Sequence, residues 1–126
     1  MLLILEDIRQ DDIVEYDYTI AGSNPIFGSK YYGVFNHGLD YPMATLSFRL
    51  LVPKGRKIAV KQHVRDLPQA ETILSDGTRE LVWKERNSAA VRENFAAPGW
   101  YEQYPWIEMS EWKSWNEVKD WGRSIF

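Results

Sequence analysis

Hydrophobic and polar residues alternate along residues 12–20, DIVEYDYTI, in the pattern of a half-buried β-strand. Val14, Tyr16, Tyr18 and Ile20 share one parity, and the acidic and hydroxyl side chains between them share the other. Because successive side chains of a strand point to opposite faces, one face of this segment is apolar and the other is polar. The alternation predicts a strand from about Val14 to Ile20.

Five further segments carry strand signals. They lie at residues 30–38, 43–52, 57–64, 70–74 and 78–85. Short strands that follow one another through tight turns favour antiparallel pairing. The run Ser75-Asp76-Gly77 between the last two segments is a hairpin signal, since Asp-Gly suits a tight turn.

The last of these segments predicts which side chains share a face. In residues 78–85, Leu81 and Trp83 are expected to face opposite to Val82 and Lys84. After Glu85 the alternation is lost. The following stretch, to about residue 105, is expected to wrap the surface, with room for one more short strand.

The end of the chain predicts a helix. Ser114 and Glu117 have the spacing of a capping box, in which the hydroxyl and the carboxylate each satisfy a free backbone amide. Trp115, Val118 and Trp121 then fall on one helical stripe that continues to Ile125. We expect a helix from about Ser114, with this stripe and its two indoles packed inward on the domain.

Together these elements predict a mainly β fold, an antiparallel β-sandwich of about six strands with a short C-terminal helix. At 126 residues the chain is the size of one domain, residues 1–126, and no internal repeat is visible. It is long enough to bury a core without disulfides.

Charge and composition exclude several classes of function. The net charge is −3 and no long basic run exists, which argues against a nucleic-acid partner. There is no cysteine, so thiol catalysis and thiolate metal sites are excluded. The apolar start of the chain meets acidic residues at once, unlike a signal peptide, and no stretch is long enough to span a membrane.

Aromatic residues give the sequence its main candidate surface. Four of the six tryptophans fall within residues 105–121. A platform for a glycan or peptide, or a surface that packs on another domain, would be formed by Trp100, Tyr101, Tyr104, Trp106 and Trp112. Burial of the tryptophans in the domain's own core is the third interpretation.

No catalytic residue, cofactor site or metal site is predicted, and the chain is not expected to be an enzyme. His37 and His63 are isolated and lack partners at metal-ligand spacing. The acidic residues Glu6, Asp7, Asp11 and Asp12 lack the ligand periodicity of a calcium loop. Glu108 and Glu111, a conceivable pair for glycoside hydrolysis, are expected on opposite faces of extended backbone.

Two separate motifs resemble one family. The run PWIEMSEWKSWNEVKDW, residues 105–121, is similar to the end of a bacterial domain of unknown function found directly upstream of transglutaminase-like, papain-fold domains. The matching positions are Pro105, Trp106, Ile107, Ser110, Trp112, Ser114, Trp115, Glu117, Val118 and Trp121. The loop Asn24-Pro25-Ile26-Phe27-Gly28 resembles the Asn-Pro-x-Phe-Gly loop of the same family, and RLLVP at residues 49–53 fits as well.

The resemblance implies an accessory β-sandwich that supports or orients a downstream catalytic domain with a Cys, a His and an Asp. It also implies an extracytoplasmic or cell-envelope location. Members of the family usually extend beyond both ends of this chain, so we expect a fragment of a longer protein. A fragment that lacks earlier strands would expose a sheet edge and self-associate through it.

Overall fold

The structure is a computed structural model that describes residues 6–125. Six strands are present in this range: β1 (Tyr32–Asn36), β2 (Met43–Val52), β3 (Ala59–His63), β4 (Gln69–Ile73), β5 (Arg79–Ser88) and β6 (Trp106–Ser110). A 3₁₀ turn, Pro25–Phe27, precedes them, and one helix, α1 (Trp115–Ile125), follows them. Residues 1–5 belong to the apolar start of the chain, which is not expected to be a signal peptide, and they lie outside the described range.

The strands form two antiparallel sheets of three strands each. The first sheet has the order β1-β6-β3, and the second sheet has the order β2-β5-β4. Their packed inner faces make a sandwich whose sheets remain open at their edges. The predicted fold class, mainly β with two antiparallel sheets and a C-terminal helix, is confirmed.

Aromatic stacking joins the two sheets at the centre of the core. Phe35 of β1 stacks on Phe48 of β2 with ring centroids 4.2 Å apart, and Phe48 stacks on Trp83 of β5 at 5.3 Å. Each such pair contributes about 0.5–1.5 kcal/mol beyond its buried area. Ile107 and Met109 of β6 are buried in the same cluster, together with Leu81. Leu81 and Trp83 face inward while Lys84 is exposed, so they lie on opposite faces of the strand, as predicted.

The predicted strand at residues 14–20 is wrong. Residues 12–24 contain no strand, and the segment is exposed, with Ile13 at 95% and Ile20 at 86%. Alternation determines which side chains would share a face, but a strand also needs a partner for its amides and carbonyls. None of the described strands pairs with this segment.

Strand pairing follows the prediction at one hairpin and departs from it at another. β4 pairs with β5 across the Asp76-Gly77 turn, as expected. β2 and β3, which the sequence suggested as neighbours, lie in different sheets, because β2 pairs with β5 and β3 pairs with β6. The connection at residues 53–58 therefore crosses from one sheet to the other.

The strand that sequence reasoning missed is β6. Trp106–Ser110 was expected as an extended approach to the helix, but it is the central strand of the first sheet and pairs on both sides. Ile107 and Met109 point into the core, so Trp106, Glu108 and Ser110 lie on the outer face. The C-terminal half of the chain thus completes the sandwich.

The C-terminal helix is present as predicted, and its cap takes a shifted form. The Ser114 hydroxyl accepts the Glu117 amide at 3.4 Å. The Glu117 carboxylate accepts the amide of Lys113, at 3.2 Å, and the Lys30 ammonium, at 2.7 Å. At 11 residues, α1 is the longest helix in residues 6–125, and none there has the length and apolar character that crossing a membrane requires.

Candidate functional site

A cleft of about 610 Å³ lies on the outer face of the first sheet. We call it the aromatic cleft. Its floor is formed by Tyr32, Lys61, Glu108 and Ser110. In the strand register Tyr32 lies opposite Ser110, and Lys61 lies opposite Glu108. Its walls come from the 3₁₀ turn and the approach to α1, with the side chains of Phe27, Trp112, Lys113, Ser114, Trp115, Val118 and Trp121.

Three rings in the wall pack against one another. Phe27 lies edge-on to Trp112 with centroids 5.4 Å apart, and Trp121 lies 5.6 Å from Phe27 and 5.7 Å from Trp112. The Trp121 indole N–H donates to the Ile26 carbonyl at 2.7 Å. This aromatic triad attaches α1 to the 3₁₀ turn, so its three rings have a structural role.

Trp115 contradicts the prediction that both helical indoles fold inward. Its side chain is 85% exposed, whereas Trp121 on the same helix is half-buried. The reason is position, because Trp115 is the first residue of the helix and Trp121, which contacts Phe27, lies six residues further along it. Tyr32 on the floor is also exposed, at 44%, so Trp115 and Tyr32 are the aromatic side chains with free faces.

The polar groups of the floor are organised around Glu108. Its carboxylate lies 3.0 Å from His63 Nε2, and the His63 ring stacks on Trp106 at 4.2 Å with the planes nearly parallel. Lys61 is directly opposite Glu108 in the sheet. The cleft therefore places a carboxylate, an ammonium group and the Ser110 hydroxyl beside free aromatic faces.

A second hollow of about 510 Å³ shares Lys113 with the aromatic cleft. We call it the basic hollow, and its charged side chains are Lys30, Arg56, Lys57, Glu111 and Lys113. Glu111 is held by Arg56 and accepts the Tyr31 amide at 2.6 Å. The Arg56 hydrogen bond holds the pKa of the Glu111 carboxyl below its usual value.

The five aromatics proposed from the sequence fall into separate places. Trp112 belongs to the triad of the cleft, and Trp106 stacks on His63 beside it. Trp100 and Tyr101 lie in the loop between β5 and β6, edge-on to each other at 6.3 Å. Tyr104 donates to Glu93 at 2.7 Å, and this hydrogen bond raises the pKa of Tyr104 to about 12.

The loop between β5 and β6 exposes aromatic side chains of its own. Phe95 is 93% exposed, Trp100 is 84% exposed and Tyr101 is 54% exposed. We call these residues the loop patch. Sequence reasoning named Trp100 and Tyr101 but missed Phe95, and for the cleft it missed Tyr32, Lys61 and Trp115 as site residues.

Four of the six acidic residues weighed for metal binding or catalysis have other partners. Asp7 pairs with Arg9, and Asp12 accepts the Arg9 amide at 2.8 Å. Glu108 faces the cleft, while Glu111 follows β6 and binds Arg56. Across residues 6–125 no three His, Asp or Glu side chains gather as a metal-ligand set.

His37 is fully buried at the end of β1, and in the described range neither ring nitrogen has a hydrogen-bond partner. Burial lowers the pKa of His37, and the nearby Arg65 charge lowers it further. Arg65 itself pairs with Glu85 of the second sheet. His37 is therefore a buried residue at the end of β1, whereas the sequence had suggested a solvated or turn histidine.

Residues 1–92 match the family model of DUF3857, a domain of unknown function with a solved structure. The matched region includes β1 to β5 and ends before the tryptophan-rich run at residues 105–121. No curated protein and no solved structure matches the chain.

Proposed function

Because the chain belongs to the DUF3857 family, we propose that it is a non-catalytic accessory domain of a bacterial transglutaminase-like protein. It supports or orients a cysteine-dependent domain that follows it in the same polypeptide. The family match supports a domain of unknown function. The transglutaminase-like partner is suggested by the resemblance of residues 105–121 to the end of domains that precede transglutaminase-like domains.

The loop patch is the observation that carries this proposal. Trp100 and Tyr101 expose aromatic bodies in a loop that uses neither ring in the core. Exposed aromatic side chains are enriched where one protein surface meets another, since their burial releases much apolar area at little entropic cost. A neighbouring domain that covers Phe95 and Trp100 would remove their apolar surface from water, which would stabilise the contact between the two domains.

The experiment uses the natural gene that encodes this chain. The domain and whatever domain follows it are purified separately and titrated together. We expect association that weakens at least about tenfold in the double variant Phe95→Ala and Trp100→Ala. The matched control is Trp115→Ala, an equally exposed tryptophan outside the loop patch, which should leave the affinity unchanged. A gene with no transglutaminase-like domain, or a control variant that is equally impaired, refutes the proposal.

The aromatic cleft favours a second function, the binding of a glycan or peptide. The supporting observation is the pair of free aromatic faces, Trp115 and Tyr32, beside the polar floor of the first sheet. Small-ligand sites combine such apolar surface with a few placed polar groups. This second candidate uses Trp115 in place of Trp106 as its platform, because Trp106 already stacks on His63.

Its test is a screen of immobilised glycans and peptides against the intact chain. Ligands that bind the cleft should be lost in Trp115→Ala and retained in Trp100→Ala, the matched tryptophan of the loop patch. Equal binding by both variants would show that the cleft is not the site.

We also propose that the chain self-associates through the free edge of β2. At 10 residues β2 is one of the two longest strands described, and it pairs with β5 on one side alone. A long unpaired edge without proline is a template for a second copy. Thr45→Lys with Leu51→Lys should abolish concentration-dependent dimers in sedimentation velocity, whereas Thr72→Lys at the other edge of the second sheet should not.

A further inference from the structure

We infer that the aromatic cleft binds an acidic sugar, a pyranose that carries a carboxylate. The sugar ring stacks on Trp115 and Tyr32, and the carboxylate pairs with the ammonium groups of Lys61 and Lys113. This inference rests on the second function proposed above and names the chemical class of its ligand.

The stacking surface is set by which rings are free. Phe27, Trp112 and Trp121 use their faces and edges on one another, at centroid distances of 5.4–5.7 Å. Trp115 is 85% exposed and packs on no other ring in residues 6–125. The C–H groups of a pyranose ring match an indole face, because the face of an aromatic ring carries partial negative charge.

The charge of the cleft selects an anion. Lys61 and Lys113 form no salt bridge with a carboxylate in residues 6–125. Although Lys61 lies opposite Glu108 in the sheet, the Glu108 carboxylate is held by His63 at 3.0 Å. The charged side chains that line the cleft are therefore two ammonium groups and one carboxylate, although the Lys113 charge also acts on the nearby Glu117 carboxylate.

The adjoining basic hollow adds to this positive potential. Its two carboxylate neighbours are already paired, Glu111 with Arg56 and Glu117 with Lys30. Lys57, also in the hollow, forms no salt bridge within the described residues. A low-dielectric wall of aromatic rings strengthens the attraction for an anion, since fewer waters screen it.

The floor of the cleft favours a sugar over an extended peptide. Peptides commonly bind sheets by adding a strand to a free edge. β6 lies at the centre of the first sheet, and its backbone pairs with β1 on one side and β3 on the other. The cleft therefore offers side chains alone, in which the Glu108 carboxylate can accept hydrogen bonds from sugar hydroxyls and the Ser110 hydroxyl can donate or accept them.

The experiment titrates the intact chain with three probes by calorimetry. The probes are a trigalacturonic acid, its neutral methyl ester and a short glutamate-rich peptide. We expect the acid to bind at least about tenfold more tightly than the ester, with affinity that falls as salt is raised. Lys61→Gln should reduce binding of the acid about tenfold and leave the ester unchanged, because the substitution removes charge without disturbing stacking.

Trp115→Ala should abolish binding of both sugars, and Trp100→Ala, in the loop patch, should bind like the wild type. Circular dichroism of each variant confirms that the fold is retained, and Trp115→Phe should restore part of the affinity. Equal affinity for the acid and its ester overturns the acidic-sugar inference and leaves glycan binding intact. Binding of the peptide alone overturns the inference that the ligand is a sugar and retains the aromatic cleft as a peptide site. If no probe binds, both the inference and the cleft's proposed function fail.

Discussion

The two sheets have similar inner faces and very different outer faces. Inside, Phe48 and Trp83 of the second sheet pack against Phe35 of the first. Outside, the second sheet presents side chains that are mainly polar or charged, among them Ser47, Arg49, Lys84 and Arg86. The outer face of the first sheet instead carries aromatic and charged groups that line a cleft together with side chains of α1. The packed inner faces therefore define the fold, whereas the candidate site lies on the outer face of the first sheet, which the 3₁₀ turn and α1 partly cover.

Chain connectivity explains why one face is covered. The 3₁₀ turn leads into β1 and α1 follows β6, and both of these strands belong to the first sheet. Flanking segments therefore reach this sheet and can fold back over it. The second sheet is built from β2, β4 and β5, each of which leads into another strand rather than into a helix.

The largest effect is expected from Trp121→Ala, which tests whether the cover is anchored by the aromatic triad. The substitution removes two ring contacts and the hydrogen bond to the Ile26 carbonyl. We expect a loss of about 3 kcal/mol in the free energy of unfolding, since the ring is half-buried rather than fully enclosed. Urea unfolding measures the loss, and hydrogen exchange should show that α1 opens first.

The matched control is Trp115→Ala in the same helix. Because this ring is 85% exposed, its removal should change stability by less than about 0.5 kcal/mol. If both variants lose the same stability, the distinction between an anchoring indole and a free indole is wrong.

The same contrast shows how far the sequence predicts the site. Helical periodicity put Trp115 and Trp121 on one stripe, and both were expected to face inward. Periodicity describes the angle around the helix and not where along its axis a neighbour lies. Trp121 meets Phe27 of the 3₁₀ turn, and no such neighbour faces Trp115. That neighbour is 94 residues away in sequence, at position 27, so local pattern could not locate it.

Alternation was reliable where a hairpin supplied the partner and unreliable elsewhere. The β4–β5 hairpin follows from turn chemistry, and the shared face of Leu81 and Trp83 follows from period. Residues 14–20 show the same period and form no strand, because none of the strands described in residues 6–125 pairs with them. β6 was missed since the tryptophans in and after it suggested a surface, yet its alternation of Ile107 and Met109 with Trp106 and Glu108 is a strand signal.

Acid should destabilise the junction between the two sheets rather than either outer face. His37 is buried and its pKa is lowered, so the folded state favours the neutral ring. The unfolded chain takes up a proton as the pH falls through about 6.5, before the folded chain does. Stability from this group is therefore complete above that pH and is lost as the pH falls towards the folded-state pKa. Thermal melts between pH 8 and pH 5 measure the loss.

His37→Leu should flatten the melting curve in that window. A second loss should remain at lower pH in both proteins, because the Arg65 hydrogen bond lowers the pKa of Glu85 below its ordinary 4.5. Stability from Glu85 is present above 4.5 and is lost as the pH falls through its folded-state pKa. An unchanged slope between pH 6.5 and pH 5 in His37→Leu would refute the role of His37.

A smaller effect of opposite sign is expected from Gly122→Ala, which strengthens the cover. Gly122 lies inside α1, and a methyl group there would meet no atom within 4 Å. Alanine is favoured over glycine in a helix interior by about 0.8–1.0 kcal/mol, so the free energy of unfolding should rise by somewhat less than this near the helix end. Gly99→Ala is the control for an added methyl group, because Gly99 lies in open space within the loop between β5 and β6. Since Gly99 is not in a helix, this substitution should not raise the free energy of unfolding by helix propensity. A destabilised Gly122→Ala would mean that α1 packs more closely on the sheet than its contacts indicate.

The smallest effect is expected on the uncovered face, at the ion pair between Arg49 and Glu80 of the second sheet. The Arg49 side chain is 57% exposed, and a pair in this setting contributes at most about 1 kcal/mol, because water and salt screen it. Glu80→Gln should therefore lower stability by less than about 0.5 kcal/mol, and the loss should vanish in 1 M salt. Urea unfolding at low and high salt makes the comparison. A larger loss that persists in salt would mean that the outer face of the second sheet is organised by its charges, as the aromatic cleft is organised by its rings, and the contrast between the two faces would no longer hold.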